Sequence, residues 1–144
     1  MIIKELLKDY FDDEIDITSN SISILNNLHD DVTCQDLNNR IIWANDTVLN
    51  RVNSTLNEVK GEHCYKAFHN LNSPCENCAV VKAQKTGEIE ESRVIDPKGR
   101  LLLIRAYPIK NNEGKLIGII DVSLNITKQK RLQEEIECFI VKLT

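Results

Sequence analysis

The chain has 144 residues, of which 42% are apolar and 28% charged, so its length and composition are those of one soluble globular domain. The net charge is −4 and basic residues are interleaved with acidic ones, which leaves no basic patch for a phosphate backbone, and we expect no nucleic-acid partner. No stretch approaches the ~18 apolar residues of a membrane span, and no signal peptide is visible, so we expect a cytoplasmic segment outside the membrane.

The first third of the chain predicts two helices followed by a hairpin. Apolar residues in 2–11 recur at helical spacing, which predicts a short amphipathic helix. A second helix is predicted to begin near residues 19–21, where serine suits a cap. The run 32–45 contains two strand-like segments around Asn38 and Asn39, and asparagine tolerates the positive φ of a two-residue primed turn.

The middle of the chain predicts short helices. Asp46 and Ser54 are candidate helix caps, and the residues between them show no strand pattern, so we expect short helices there. After a cysteine-rich stretch, a helix is predicted from about Cys78 to Lys85 and ends at Gly87.

The last third predicts three strands and a helix. Strands near 88–95, 100–109 and 115–125 are separated by strong turn sequences, so they form an antiparallel meander. The residues that follow are helical, and their apolar positions form a short coiled-coil seam: Leu132, Ile136, Phe139 and Leu143. Together with the hairpin, these elements predict an α+β fold: one five-stranded antiparallel sheet with short helices on one face and helices at both ends.

Two sequence segments resemble the PAS domain, or sensory box, of bacterial and archaeal signalling proteins. "DLNNRIIWAND" (36–46) is similar to the opening hairpin of that family, and "GKLIGIIDVSLNIT" (114–127) with "KQKRLQEEIE" is similar to its last strand and signalling helix. The resemblance implies an extension at 1–19, a PAS sensor domain at 20–127 and a signalling helix at 128–144. It also implies a ligand pocket between sheet and helices, and a regulatory rather than enzymatic role.

The resemblance extends to partners and to signal relay. It implies a homodimer formed through the terminal helices, and an output domain in the parent protein such as a histidine kinase, a nucleotide cyclase or a transcription regulator, as in two-component systems. Asn125 stands where the family usually has an aspartate that links the sheet to the output helix. With Thr127, which suits a helix cap, Asn125 is the expected relay element.

The cysteine cluster is the main candidate site. Cys64, Cys75 and Cys78 follow a C-x10-C-x2-C pattern, which some PAS domains share. Thiolates at this spacing can bind zinc or an iron–sulfur cluster, with His69 or Cys34 as a fourth ligand. Alternatively, a helix N-terminus lowers the pKa of Cys78 and a reversible disulfide is the sensed signal. The third alternative is a structural role, since free cysteine is often buried.

Other cofactors have weaker signals. "GEHCYKAF" (61–68) lacks the polar residues of the flavin-binding PAS motif that it resembles, which argues against flavin. His63 or His69 are candidate haem ligands, although a lone histidine is more often a surface residue. Trp43 and Arg105 are further pocket candidates, Arg105 for an anionic ligand, but core packing and pairing with Glu91 are the competing interpretations.

Two functions remain open at the level of sequence. The first is a sensory domain that binds a small ligand or metal, or senses redox state, and relays the signal through its C-terminal helix. The second is a dimerisation module with structural cysteines and no ligand. No catalytic motif is present in the sequence, and we expect any enzymatic output to lie in another domain.

Overall fold

The computed structural model describes residues 26–143, and its centre is a five-stranded antiparallel sheet. The strand order is β2-β1-β5-β4-β3. The strands are β1 (Asp31–Gln35), β2 (Ile41–Ala44), β3 (Glu90–Ile95), β4 (Leu101–Lys110) and β5 (Leu116–Asn125). The predicted α+β fold is confirmed, and the three meander strands lie within two residues of their predicted bounds. The helix predicted at 2–11 and the start of the second helix lie outside the described residues.

Five helices accompany the sheet in the described part of the chain: α1 (Asp46–Arg51), α2 (Leu56–Val59), α3 (Cys64–His69), α4 (Ala79–Thr86) and α5 (Thr127–Leu143). The predicted caps of the first two are wrong by one residue, since the side chains of Asn45 and Thr55 accept the capping hydrogen bonds. Helix α4 ends as predicted at Gly87, whose φ of 69° suits glycine. No helix of residues 26–143 is long and apolar enough to cross a membrane.

Three hairpin turns have the same construction. In each, the side-chain Oδ1 of an Asp or Asn accepts hydrogen bonds from the backbone N–H groups two and four residues later. The three turns begin at Asp36, Asp96 and Asn111. The fourth residue of each turn has a positive φ. In the first turn this position is Asn39, with φ 64°, whereas Asn38 has no positive φ. The predicted two-residue primed turn is therefore wrong, because that turn requires positive φ at both residues.

The two faces of the sheet carry different side chains. On one face, Ile104, Ala106 and Ile119 pack against helix α4. On the opposite face, Cys34 and Trp43 pack with neighbouring strand residues. Because side chains alternate along a strand, the register fixes which residues the helices can reach.

Helix α5 leaves the sheet with its apolar side chains exposed. It has no buried residue, and the predicted seam of Leu132, Ile136, Phe139 and Leu143 has exposed fractions of 47% to 72%. Such a continuous apolar stripe is typical of a helix that packs against a partner.

Candidate ligand-binding site

Four of the predicted site residues line one internal cavity. Cys64, Cys75, Cys78 and His69 surround a space of about 20 Å³ between the helices and the sheet. A space of this size holds about one water molecule. The structure therefore places these four residues around one cavity, which is nearly filled by its own side chains.

Local structure explains how the cysteines reach the cavity. Cys64 is the first residue of α3 and is buried in the core beside Ile41 and Val59. Cys78 is the N-cap residue of α4, and Cys75 lies in the loop between these two helices. Asn39, the buried residue of the first turn, donates from Nδ2 to the Cys64 Sγ over 3.9 Å and accepts from Gln84 of α4. The first hairpin turn thus links both helices.

Burial keeps the cavity thiols protonated. It raises the pKa of Cys64 to about 12, with a further contribution from the charge of Asp121. Burial also raises the pKa of Cys75 and of Cys78. The prediction of a lowered Cys78 pKa is wrong, because desolvation outweighs the hydrogen bonds from the α4 N-terminus. Thiols in this state are weak nucleophiles at neutral pH.

An additional acidic residue, Asp121 of β5, faces the same cavity. Its Oδ2 accepts a hydrogen bond of 3.4 Å from Gln35 Nε2, whereas its buried Oδ1 has no partner in the described structure. Burial, and secondarily the charge of Asp31, raises the pKa of Asp121 to about 7. The cavity thus contains a carboxyl group with an unfilled acceptor, in the neighbourhood of three protonated thiols.

A charged pair and a neutral histidine border the far side of Asp121. Arg51 of α1 bonds Asp31 with an N–O distance of 2.5 Å, and both line a second small cavity on the other side of Asp121. His69 lines both cavities. Burial, followed by the charge of Arg51, lowers the pKa of His69, so this imidazole is neutral at pH 7.

A larger groove opens to solvent beside the internal cavity. It measures about 600 Å³ and runs between the cysteine loop and β3, past Arg93 and Asp96. His69, Cys75 and Val94 line both the groove and the internal cavity. These three side chains therefore separate the interior from solvent.

The structure does not bring the remaining predicted residues to the cavity. Cys34 pairs with Ile120 and Trp43, and Arg105 pairs with Val122, so all three candidates lie on the opposite face of the sheet. Arg105 bonds Glu91 at 2.6 Å, as the competing interpretation expected.

His63 precedes α3 and stacks on Tyr65 with a centroid distance of 4.9 Å. It does not line the cavity. Among residues 26–143, no group of three or more His, Cys, Asp or Glu side chains is placed to hold a metal ion.

Comparison with known families matches the PAS domain model to residues 29–128, most of the chain. The chain belongs to the PAS domain family. This family consists of sensory and signalling modules that are typically regulatory. No curated protein matches the sequence.

Solved structures support the PAS fold at low sequence identity. An RNA-binding Light-Oxygen-Voltage receptor matches with a TM-score of 0.62 and 17% identity over 83% of this chain and 36% of its own. Vibrio cholerae VqmA matches with a TM-score of 0.58 and 19% identity over 78% of this chain and 53% of its own. The PAS domain of nitrogen regulation protein NR(II) from Vibrio parahaemolyticus matches with a TM-score of 0.59 and 15% identity over 76% of this chain and 100% of its own. This chain therefore spans about a third and about half of the first two proteins.

The end of β5 connects this PAS domain to α5 through side-chain hydrogen bonds. Asn125 Oδ1 accepts from the N–H of Thr127 at 3.1 Å and from its Oγ1 at 2.7 Å. Thr127 Oγ1 in turn accepts from the N–H of Leu101 at 2.9 Å. The first turn of α5 is thus attached to both β5 and the start of β4.

The sequence analysis did not identify three residues of the site. These are Asp121, Gln35, and Asn39, which contacts Cys64 of α3. Asp121 had a visible signal, because it is a lone acidic residue in the apolar run "LIGIIDVSLN" of β5. A charged residue seldom lies in the interior of such a strand without a reason. The Gln35 and Asn39 contacts depend on the fold and had no comparable signal.

Proposed function

We propose that this PAS domain is the input module of a signalling protein, with its stimulus received in the cavity around Asp121 and the cysteines. The observation that carries the proposal is the position of β5. This strand contributes Asp121 to the cavity wall and ends four residues later at Asn125, where the hydrogen bonds to Thr127 begin α5. A change in the cavity that displaces β5 therefore acts directly on the start of α5.

The physical properties of the cavity favour a small ligand as the stimulus. The thiols have raised pKa values, which argues against rapid oxidation. A metal ion would use Cys64, Cys75 and Cys78 with His69, but it would first have to draw these side chains together and remove their protons. A ligand needs only to displace His69 or Cys75 between the groove and the cavity.

The exposed stripe of α5 supports a second part of the proposal, homodimerisation. Leu132, Ile136 and Phe139 are spaced as in a coiled coil and are exposed in the single chain. We propose that two copies pack through α5, and that an output domain of a longer parent protein continues from it. The alternative function is a dimerisation module that binds no ligand. It would use the same α5 interface, but the cavity would have no role.

Hydrogen exchange in an Asp121→Asn variant distinguishes these functions. The substitution alters the cavity and leaves α5 itself unchanged. If the domain relays a signal from the cavity, the hydrogen-exchange rates of the Leu101 amide and of the first turn of α5 should change, because both sites depend on the position of β5. Asp46→Asn, at an exposed carboxylate on α1, is the matched control and should change neither. Exchange differences confined to the cavity walls would support the dimerisation module instead.

A further inference from the structure

Two buried acceptor atoms in the cavity region lack hydrogen-bond partners in the described structure. They are Asp121 Oδ1 and Gln35 Oε1. The two side chains lie on the neighbouring strands β5 and β1 and are joined by the bond from Gln35 Nε2 to Asp121 Oδ2. Native proteins seldom leave buried acceptors unpaired, so each such atom points to a missing donor.

No side chain of the described residues donates a hydrogen bond to these two atoms. The Arg51 guanidinium is paired with Asp31. The N–H donors of Gln35 already bond Thr33 and Asp121 Oδ2. A bound molecule with N–H or O–H groups would therefore fill these acceptors.

An open groove lies close to this position. The open groove of about 600 Å³ shares His69 and Cys75 with the internal cavity. The internal cavity shares Asp121, Phe68 and His69 with the second small cavity. Asp121 thus lies between the internal cavity and the second small cavity. Only a few side chains separate the internal cavity from the groove.

We propose that this site binds a small organic cation with several N–H donors, such as a primary ammonium or amidinium group. The proposal rests on the proposed sensory function and names the ligand class of the same site. The cationic group would donate to Asp121 Oδ1, the unfilled acceptor of the residue that lines both internal cavities. Its organic part would lie towards the groove, past His69 and Cys75.

Three properties favour a cation over an anion or a neutral apolar ligand. Once Asp121 is ionised, both unfilled atoms are acceptors only, and one of them belongs to its carboxylate. The cavity contains Tyr65 and Phe68, whose ring faces attract cations. Arg51, the cationic side chain that lines the second small cavity, is paired with Asp31, so it offers little to an anion.

Methylammonium and tetramethylammonium form a matched pair of probes for this proposal. They carry the same charge, but only methylammonium has N–H donors. Titrations of the full chain at pH 8 are followed by the side-chain amide signals of Gln35 in ¹⁵N NMR spectra. The pKa of Asp121 is raised to about 7, so its carboxylate is ionised under this condition. We expect methylammonium to bind at least about tenfold more tightly than tetramethylammonium, because only it can donate hydrogen bonds and because it is the smaller ion.

Variants assign the binding to Asp121. Asp121→Asn should weaken methylammonium binding at least about tenfold, because a hydrogen bond to a charged acceptor is lost. Asp46→Asn should leave it unchanged. Equal binding of both probes, absence of binding, or binding that survives Asp121→Asn would overturn the proposal, and a water molecule would then be the missing donor.

Failure of this inference can be told apart from failure of the proposed function. If methylammonium does not bind but Asp121→Asn still alters hydrogen exchange in α5, the ligand class is wrong and the relay stands. If methylammonium binds through Asp121, but neither its binding nor the Asp121→Asn substitution alters hydrogen exchange in α5, the site is correct and the relay is wrong.

Discussion

Replacing Asp121 with asparagine should stabilise this protein at alkaline pH. Burial raises the pKa of Asp121 from 3.8 to about 7, so the folded state binds this proton more tightly than the unfolded state does. The contribution of Asp121 to stability is therefore complete below pH 3.8 and is lost as the pH rises towards 7. Asparagine has nearly the same shape and stays neutral, so the variant avoids this loss.

The magnitude follows from the size of the pKa change. At about 1.4 kcal/mol for each pH unit, the change from 3.8 to about 7 corresponds to about 4 kcal/mol above pH 7. Between pH 5 and the pKa of about 7, the loss of stability amounts to about 3 kcal/mol. We therefore expect the free energy of unfolding of Asp121→Asn, relative to the native sequence, to increase by about 3 kcal/mol between pH 5 and pH 8.

Urea denaturation at the two pH values measures this difference. The single tryptophan, Trp43, is buried and reports unfolding by its fluorescence. Asp46→Asn serves as the control, since its carboxylate is exposed. If Asp121→Asn were less stable than the native protein at pH 8, the ionised carboxylate would have a stabilising partner, and the reasoning about its unfilled acceptor would be refuted.

Three further predictions concern the relay, the first turn and the thiols. Thr127→Val removes the acceptor of the Leu101 amide and should lower the free energy of unfolding by about 1 kcal/mol in urea denaturation; an unchanged value would show that this bond adds nothing. Asn39→Ala loses two side-chain bonds and puts alanine at φ 64°, and should cost about 2 kcal/mol by the same assay; a cost near zero would contradict the link to α3 and α4. In a thiol titration with a disulfide reagent, exposed Cys138 should react at once and buried Cys64 only on unfolding; early reaction of Cys64 would refute its protected state.

The sheet was predictable because its signals are local. Turn sequences at Asp96 and Asn111 and the alternation of apolar residues located three strands to within two residues. The first helix cap was predicted one residue late, at Asp46 instead of Asn45, and the second one residue early, at Ser54 instead of Thr55. For the first helix, a tertiary contact helps to select the cap. Asn45 also accepts a bond from the N–H of Val32 on β1, and the sequence of the helix itself contains no trace of that contact.

The site was predicted less completely because it depends on strand register and burial. The spacing of the cysteines singled out Cys64, Cys75 and Cys78, which line one cavity in the structure. Cys34 was a candidate fourth ligand only if its side chain faced the helices. It faces the other way, since side chains alternate along a strand and the neighbouring Gln35 reaches Asp121. The pKa of Cys78 was predicted in the wrong direction because desolvation by the packed core is invisible in a linear motif.

The most direct test of the central claim is a spin label on Cys138, the exposed cysteine of α5, observed as the pH crosses the pKa of Asp121. The groups that face Asp121 and also carry or change charge are Asp31, Arg51, His69 and the cavity thiols. If the cavity controls α5 through β5, the spectrum of the native protein should change between pH 6 and pH 8, and Asp121→Asn should remove that change. A label that is insensitive to pH in both proteins, or that responds equally in both, would contradict the account.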